Sequence, residues 1–264
     1  MKQTLKISSA HNEKVKFLQE LQQKSAVRRE TGLAVVEGLR EMGHCLRAGY
    51  EFHSVFFCPP LIGEGAMRSI DGYGCKCYEV SREVYEKVAY RGSTEGVIAI
   101  VDQKRIMLAD LSLSEHPLIV VLESVEKPGN LGAVLRSADA AGADAVLVCD
   151  PLTDLYNPNL IRSSIGAIFR VPCVACASGE AIDFLKGKGI KILTAQLQDS
   201  ELYYDTDMRC GTAIVMGTES TGLTNVWREA ADAHIRIPMN GELDSLNVSV
   251  SAAILLFEAV RQRN

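Results

Sequence analysis

Three short segments combine glycines, isolated polar side chains and the ends of regular elements in ways suited to binding and processing a ligand. The first runs Glu123-Ser-Val-Glu-Lys-Pro-Gly-Asn-Leu-Gly-Ala-Val-Leu-Arg136 and follows an apolar run that reads as a buried strand. It predicts a strand-end loop opening into a helix, a place where free backbone N–H groups and the positive end of the helix dipole meet a ligand. Asn130 is the expected N-cap, and Gly132 removes side-chain bulk in the first turn. Arg136 stands one turn after Gly132, while Leu131, Val134, Leu135 and Ala138 share the opposite face, so the guanidinium is aimed at the ligand side rather than at the core. The same residues also read as a capped helix with one surface arginine.

The second segment, Ile214-Val-Met-Gly-Thr-Glu-Ser-Thr-Gly-Leu223, is a strand ending in a glycine loop with one carboxylate, Glu219, ahead of a helix containing Trp227. Gly217 and Gly222 permit tight turns and close backbone approach. Nothing in it matches G-x-G-x-x-G or a phosphate-binding P-loop, which removes the main support for a nicotinamide or nucleotide triphosphate. The third segment, His234-Ile-Arg-Ile-Pro-Met-Asn-Gly-Glu-Leu-Asp-Ser-Leu-Asn-Val-Ser-Val-Ser-Ala-Ala253, reads as a strand stopped by Pro238, a polar loop, and a final helix capped by Ser245 or Asn247. Its small residues Ser249, Ser251, Ala252 and Ala253 favour close contact with another backbone, within the fold or across a dimer. The eight cysteines suggest no metal framework, since Cys75 and Cys77 lie two apart in an apparent strand and Cys173 and Cys176 form a lone C-x-x-C.

The elements that position these segments alternate. Residues 13–24 form a helix with Val15, Leu18 and Leu21 on one face, and strands are expected at Leu33–Glu37, Ser54–Cys58, Lys76–Val80 and Gly96–Val101. Helix-like stretches at Leu39–Ala48, Ala66–Ile70 and Arg82–Val88 lie between them. After a polar stretch from Asp102 to His116, strands recur at Leu118–Leu122, Ala145–Val148, Ile190–Ala195, Thr212–Met216 and His234–Pro238. Helices separate them, and an amphipathic helix from Asn247 to Arg263 closes the chain. This rhythm predicts two α/β domains, residues 1–106 and 107–264, the second with a largely parallel sheet.

Composition bounds the classes of function. The 264 residues are 47% hydrophobic and 23% charged, an ordinary globular balance. The longest apolar runs are far shorter than the roughly 20 residues needed to span a bilayer, and no apolar signal core opens the chain, so a cytoplasmic protein is expected. The net charge of −5 argues against indiscriminate coating of nucleic acid. It is unevenly divided, with 16 basic against 13 acidic residues in 1–106 and 12 against 20 in the remainder. Lys14, Lys16, Arg28 and Arg29 are therefore the candidate RNA contacts.

Together the three segments resemble the motifs of the SpoU (TrmH) family in the SPOUT superfamily of RNA methyltransferases. The resemblance rests on N-x-G-x-x-x-R at Asn130, Gly132 and Arg136, M-G-x-E-x-x-G-L from Met216 to Leu223, and I-P-M followed by S-L-N-V-S-x-A-A between Ile237 and Ala253. A looser match covers residues 1–101, through H-N-x-K-V-K at 11–16, T-G-x-x-x-V-E-G at 31–38 and T-E-G-V at 94–97. It implies a trefoil-knotted SPOUT methyltransferase domain preceded by a small L30e-like RNA-binding domain, a homodimer, and S-adenosyl-L-methionine as the cofactor, with no metal. Carried over residue by residue, it places Thr194, Ala195, Gln196, Gly217, Thr218, Glu219, Ile237, Met239, Leu246 and Asn247 around the cofactor. Asn130, Arg136, Glu219, Ser245 and Asn247 fall at the catalytic centre, with Arg136 also touching RNA.

The reaction so implied is attack of a ribose 2′-oxygen on a sulfonium methyl. A guanidinium as general base is awkward, because holding one neutral at pH 7 costs on the order of 7 kcal/mol. The alternative is a cationic Arg136 that grips a phosphate and stabilises a developing alkoxide. The N-terminal extension favours ribosomal RNA, most of all 23S, over transfer RNA as substrate. The other readings are an RNA-binding homologue without activity, a base-nitrogen methyltransferase on the same scaffold, and a small-molecule α/β enzyme with a fortuitous motif.

Overall fold

The computed structural model describes residues 4–63, 65, 70, 73–90, 95–218, 221–242 and 245–264. It divides into two compact units, Met1–Lys104 with Tyr156–Phe169, and Arg105–Leu155 with Arg170–Asn264.

The first unit contains β1 (Leu5–Ile7), α1 (Glu13–Gln23), α2 (Ser25–Thr31), β2 (Leu33–Glu37), α3 (Leu39–Arg47), β3 (Phe52–Phe57), β4 (Lys76–Val80), α4 (Arg82–Val88) and β5 (Val97–Asp102). The strands form one mixed sheet in the order β1-β4-β3-β5-β2. Helix α1 begins where the Asn12 side chain accepts the Lys14 N–H at 2.9 Å, and it buries Val15, Leu18 and Leu21. Those three side chains join Val35, Phe56, Tyr78, Ile98 and Ile100 of the sheet in one core. The expected helix at Ala66–Ile70 lies, apart from Ile70, outside the described residues.

In the second unit, β6 (Leu118–Glu123), α5 (Pro128–Ala141) and β7 (Ala145–Cys149) come first. The chain then supplies α6 (Pro158–Ser163) to the first unit, a segment that periodicity did not assign there. Within that unit the Tyr156 hydroxyl donates to the Lys104 carbonyl at 2.7 Å and accepts the Lys104 N–H at 2.8 Å. The second unit resumes with β8 (Cys173–Cys176), α7 (Ser178–Gly187), β9 (Lys191–Ala195), β10 (Glu201–Leu202), β11 (Thr212–Met216), α8 (Asn225–Ala230), β12 (Ala233–Arg236) and α9 (Val248–Arg263).

Its sheet runs β10-β12-β9-β11-β6-β7-β8, with every pairing parallel. Strands β6, β7 and β11 are buried along their whole length, as a parallel sheet covered on both faces requires. The order reverses beside β6: the next strands, β7 and β8, extend one way, and β11, β9 and β12 extend the other. Such a switch point opens a crevice at the carboxyl ends of the strands.

Three local expectations change. Helix α5 starts at Pro128, with Lys127 in the cap position and Asn130 inside the first turn rather than at the N-cap. Proline at the first helical position costs no hydrogen bond, because that N–H has no intrahelical acceptor, and its fixed φ suits the helix. Strand β12 stops at Arg236 and not at Pro238, since proline has no N–H for the ladder and holds Ile237 extended beyond it. Cys173 and Cys176 lie in β8, where residues three apart point to opposite faces and cannot share a ligand. Cys176 instead lies beside Cys149 of β7, Sγ to Sγ 3.9 Å. Among the described residues no group of three or more His, Cys, Asp or Glu is placed to hold a metal. No described helix is long and apolar enough to cross a membrane.

Candidate functional site

A cleft of about 340 Å³ opens at the carboxyl ends of β9, β11 and β12. The β9 end contributes Ala195 to Gln198, the β11 end contributes Met216 to Thr218, and the β12 end contributes Ile235 to Ile237 with Met239. Ser245, Leu246, Val248 and Ser251 close it from the start of α9.

The loop after β11 is held by its own backbone. Thr218 N–H donates to the Gly222 carbonyl at 3.3 Å and Gly222 N–H donates to the Thr218 carbonyl at 3.1 Å, while Thr221 N–H donates to the Thr218 hydroxyl at 3.0 Å. This folds Gly222 back against Gly217 so closely that a Cβ on Gly217 would lie 2.2 Å from the Gly222 oxygen. Only glycine fits there. Gly222 has a φ of +67°, which also favours glycine.

The motif segments are joined by side chains. The buried Glu123 carboxylate at the end of β6 accepts the Thr224 N–H at 2.9 Å and the Thr224 hydroxyl at 2.6 Å, fixing the start of α8. Asn247 caps α9 by accepting the Ser249 N–H at 3.0 Å, and its amide donates to Asn130 Oδ1 at 3.2 Å. That bond ties the first turn of α5 to the start of α9, and the two helices pack on each other. Leu131, Val134, Leu135 and Ala138 are buried, whereas Arg136 is exposed on the other side of the helix, as its spacing predicted. Arg136 makes no hydrogen bond or ion pair among the described residues.

Of the residues expected around a cofactor, Ala195, Gln196, Gly217, Thr218, Ile237, Met239 and Leu246 line the cleft, and so does Ser245 from the catalytic set. Thr194 does not. It is fully buried one residue earlier, its hydroxyl hydrogen-bonded to His234 Nδ1 at 2.6 Å, so it supports the wall between β9 and β12. Asn247 and Asn130 sit at the junction of α5 and α9 rather than in the lining, and Glu219 lies outside the described residues.

The basic candidates divide. Lys14, Lys16 and Arg29 are exposed, with Lys14 Nζ 5.2 Å from the centre of the Tyr78 ring. Arg28 is a correction: it is 2% exposed, and its guanidinium donates to the Leu21 carbonyl at 2.6 Å and the Gln22 carbonyl at 3.2 Å. Those carbonyls end α1 and have no intrahelical donor, so the arginine is consumed in closing the turn into α2.

Residues 117–257 match the model of the SpoU rRNA Methylase family, and residues 12–99 match that of the MRM3-like substrate binding domain. The chain belongs to the SpoU rRNA methylase family. It is 30% identical over 251 residues to the 23S rRNA (guanosine(2553)-2'-O)-methyltransferase RlmP of Bacillus subtilis, covering 95% of this chain and 97% of that one. A crystal structure of an RNA 2'-O ribose methyltransferase superposes with a TM-score of 0.86 at 38% identity, over 98% of this chain and 99% of that one. The AdoMet-bound rRNA methyltransferase from Sinorhizobium meliloti superposes with a TM-score of 0.89 at 29% identity, over 98% of each chain.

Two arginines of this SpoU cleft, Arg228 and Arg236, escaped the reading of the sequence, along with Leu197, Gln198 and Ser251. Arg228 follows Trp227, whose complete burial fixes the inner face of α8 and turns the next side chain about 100° away from the core. That one-residue offset from the tryptophan was the available signal. Arg236 alternates with the buried Ile235 in β12, a period-two signal that marks the opposite face and nothing more.

Proposed function

We propose that the protein is an RNA (ribose-2′-O)-methyltransferase that takes its methyl group from S-adenosyl-L-methionine and acts on 23S ribosomal RNA. The observation that carries this reading is the convergence of the motif segments: the loops after β11 and β12 wall one cleft, and the Asn130–Asn247 bond couples the arginine-bearing helix α5 to its rim. The cleft suits a ligand with both donors and acceptors. Buried Gln196 Oε1 and Arg228 Nε line it without hydrogen-bond partners among the described residues, which leaves one acceptor and one donor for a ligand.

When bound, the cofactor supplies a sulfonium-activated methyl group. The chain's own task is to align a ribose with it. The backbone of Gly217–Thr218 and Ile237–Met239 would hold the nucleoside end, with Ser245 and Leu246 lining the same cleft. Asn130 and Asn247 hold α5 and α9 in register, and Arg136 faces solvent where an RNA backbone can reach it. Exposure of Arg136 to solvent favours the phosphate-gripping role: Arg136 fixes the phosphate beside the target ribose and stabilises the oxyanion as the 2′-proton leaves to solvent or phosphate.

The first unit serves as the RNA-binding module, with exposed Lys14, Lys16 and Arg29 meeting phosphates. The knotted path implied by the resemblance for the segment from β11 to α9 would hold the cleft loops against each other without a ligand. A homodimer is supported by the outer face of α9, where Val250 and Phe257, seven residues apart, are 47% and 48% exposed. The protein works in the cytoplasm and without a metal. The test is transfer of labelled methyl groups from S-adenosyl-L-methionine to 23S rRNA lacking the modification, followed by mapping of the 2′-O-methyl site. Transfer to transfer RNA in preference to 23S rRNA would move the substrate, and label on a base would overturn the ribose assignment.

A further inference from the structure

Arg228 is half-buried, and among the described residues nothing neutralises its charge. Its helix is anchored by Trp227, whose indole N–H donates to Ser178 Oγ at 2.9 Å in the core, and from that fixed point Arg228 reaches the cleft. Its guanidinium passes the glycine loop, with one Nη 3.9 Å from where a Cβ on Gly222 would stand. Four other arginines of the same unit are matched: Arg170 with Asp139, Arg209 with Asp207, Arg261 with Glu258, and Arg263 with the carbonyls of Met208 and Cys210. Arg228 forms no hydrogen bond or ion pair among the described residues, and its buried Nε lacks an acceptor. The described lining of the cleft contains Arg228 and Arg236 and no aspartate or glutamate.

The described part of this lining suits an anion. A planar carboxylate matches the guanidinium fork in shape and charge, and withdrawal from water strengthens the pair. S-adenosyl-L-methionine carries one such group, the α-carboxylate of its amino-acid tail. We propose that Arg228 holds this carboxylate, fixing the tail so that the methyl group is presented in one orientation and rejecting nucleosides that lack the group. The proposal rests on the cofactor reading of the cleft. It adds a side-chain contact to the backbone contacts proposed for Gly217–Thr218 and Ile237–Met239.

The contrary account makes Arg228 a pillar that only props the glycine loop. The two differ in what happens when the ligand, rather than the protein, is altered. Calorimetry on the full-length chain without RNA compares S-adenosyl-L-methionine with decarboxylated S-adenosylmethionine, which keeps the nucleoside, sulfonium and amine. The wild-type protein is expected to bind the intact compound about tenfold to a hundredfold more tightly, the range of a charge-assisted hydrogen bond. Arg228→Gln should lose affinity for the intact compound by that factor and hold both compounds alike, while Arg228→Lys keeps part of the preference. Equal binding of the two compounds by the wild type, or equal weakening of both by Arg228→Gln, overturns the proposal and makes Arg228 a pillar. A wild-type protein that binds neither compound overturns the cofactor reading itself.

Discussion

Replacing Gly217 with alanine adds a single methyl group at the most crowded backbone position of the cleft. The new Cβ would lie 2.2 Å from the Gly222 oxygen, 2.3 Å from the Gly222 carbonyl carbon and 2.6 Å from the Leu223 nitrogen. Favourable contacts of carbon begin near 3.5 Å, so the loop must retreat by roughly an ångström. All three neighbours are backbone, so no side-chain rotation relieves the clash. The retreat strains the paired Thr218–Gly222 hydrogen bonds and shifts Thr218 and Thr221, both in the cleft wall. Overpacking of this kind costs about 1–3 kcal/mol, which for a protein of this size lowers Tm by roughly 2–10 °C. The loss of cofactor affinity should be larger in proportion, at least about tenfold or ~1.4 kcal/mol, because the displaced atoms are the binding surface. Differential scanning calorimetry and isothermal titration with S-adenosyl-L-methionine read the two effects. Gly241→Ala is the control, since its Cβ would meet nothing within 4 Å, and it should leave both unchanged. If Gly217→Ala binds the cofactor within twofold of the wild type, the close approach of Gly217 and Gly222 does not shape the site and the reasoning fails.

Arg136→Ala should fold normally, because the side chain is exposed and makes no bond among the described residues, yet lower methyl transfer by at least about a hundredfold, or ~2.7 kcal/mol, with little change in cofactor affinity. Substantial rescue by Arg136→Lys would support the electrostatic role, and near-normal turnover of the alanine variant would remove Arg136 from the mechanism. The triple variant Lys14→Ala, Lys16→Ala, Arg29→Ala should weaken RNA binding and flatten its dependence on salt without touching cofactor binding; an unchanged salt slope would make the three residues an ordinary solvated face. Arg28→Ala should instead cost about 1–3 kcal/mol of stability by freeing the buried Leu21 and Gln22 carbonyls, and RNA affinity measured well below its Tm should be unaltered. Light scattering should report two chains per particle, and Phe257→Glu should shift the balance toward one; a fully active wild-type monomer at micromolar concentration would exclude the dimer.

Much of the fold was legible because periodicity is a local property. The strands Leu33–Glu37, Lys76–Val80 and Thr212–Met216 and the helix Arg82–Val88 fall where their apolar pattern places them, and Arg136 emerges on the side of α5 opposite Leu131, Val134, Leu135 and Ala138. Glycine spacing likewise marked the loop after β11, since a chain that folds back on itself within five residues leaves room for no side chain at Gly217. What the chain alone could not reveal depends on residues distant in sequence. Arg28 looks like the neighbouring Arg29 in every local respect, and only the meeting of α1 and α2 buries one beneath carbonyls while leaving the other in water. Thr194 and Ala195 are adjacent, but the pleat of β9 and its pairing with His234 put the threonine into the wall and the alanine into the cleft. Arg228 shows the same limit from the other direction. A sequence records its charge, but not which described side chains stand beside it, because that is decided by which loops the parallel sheet brings together at the ends of β9, β11 and β12.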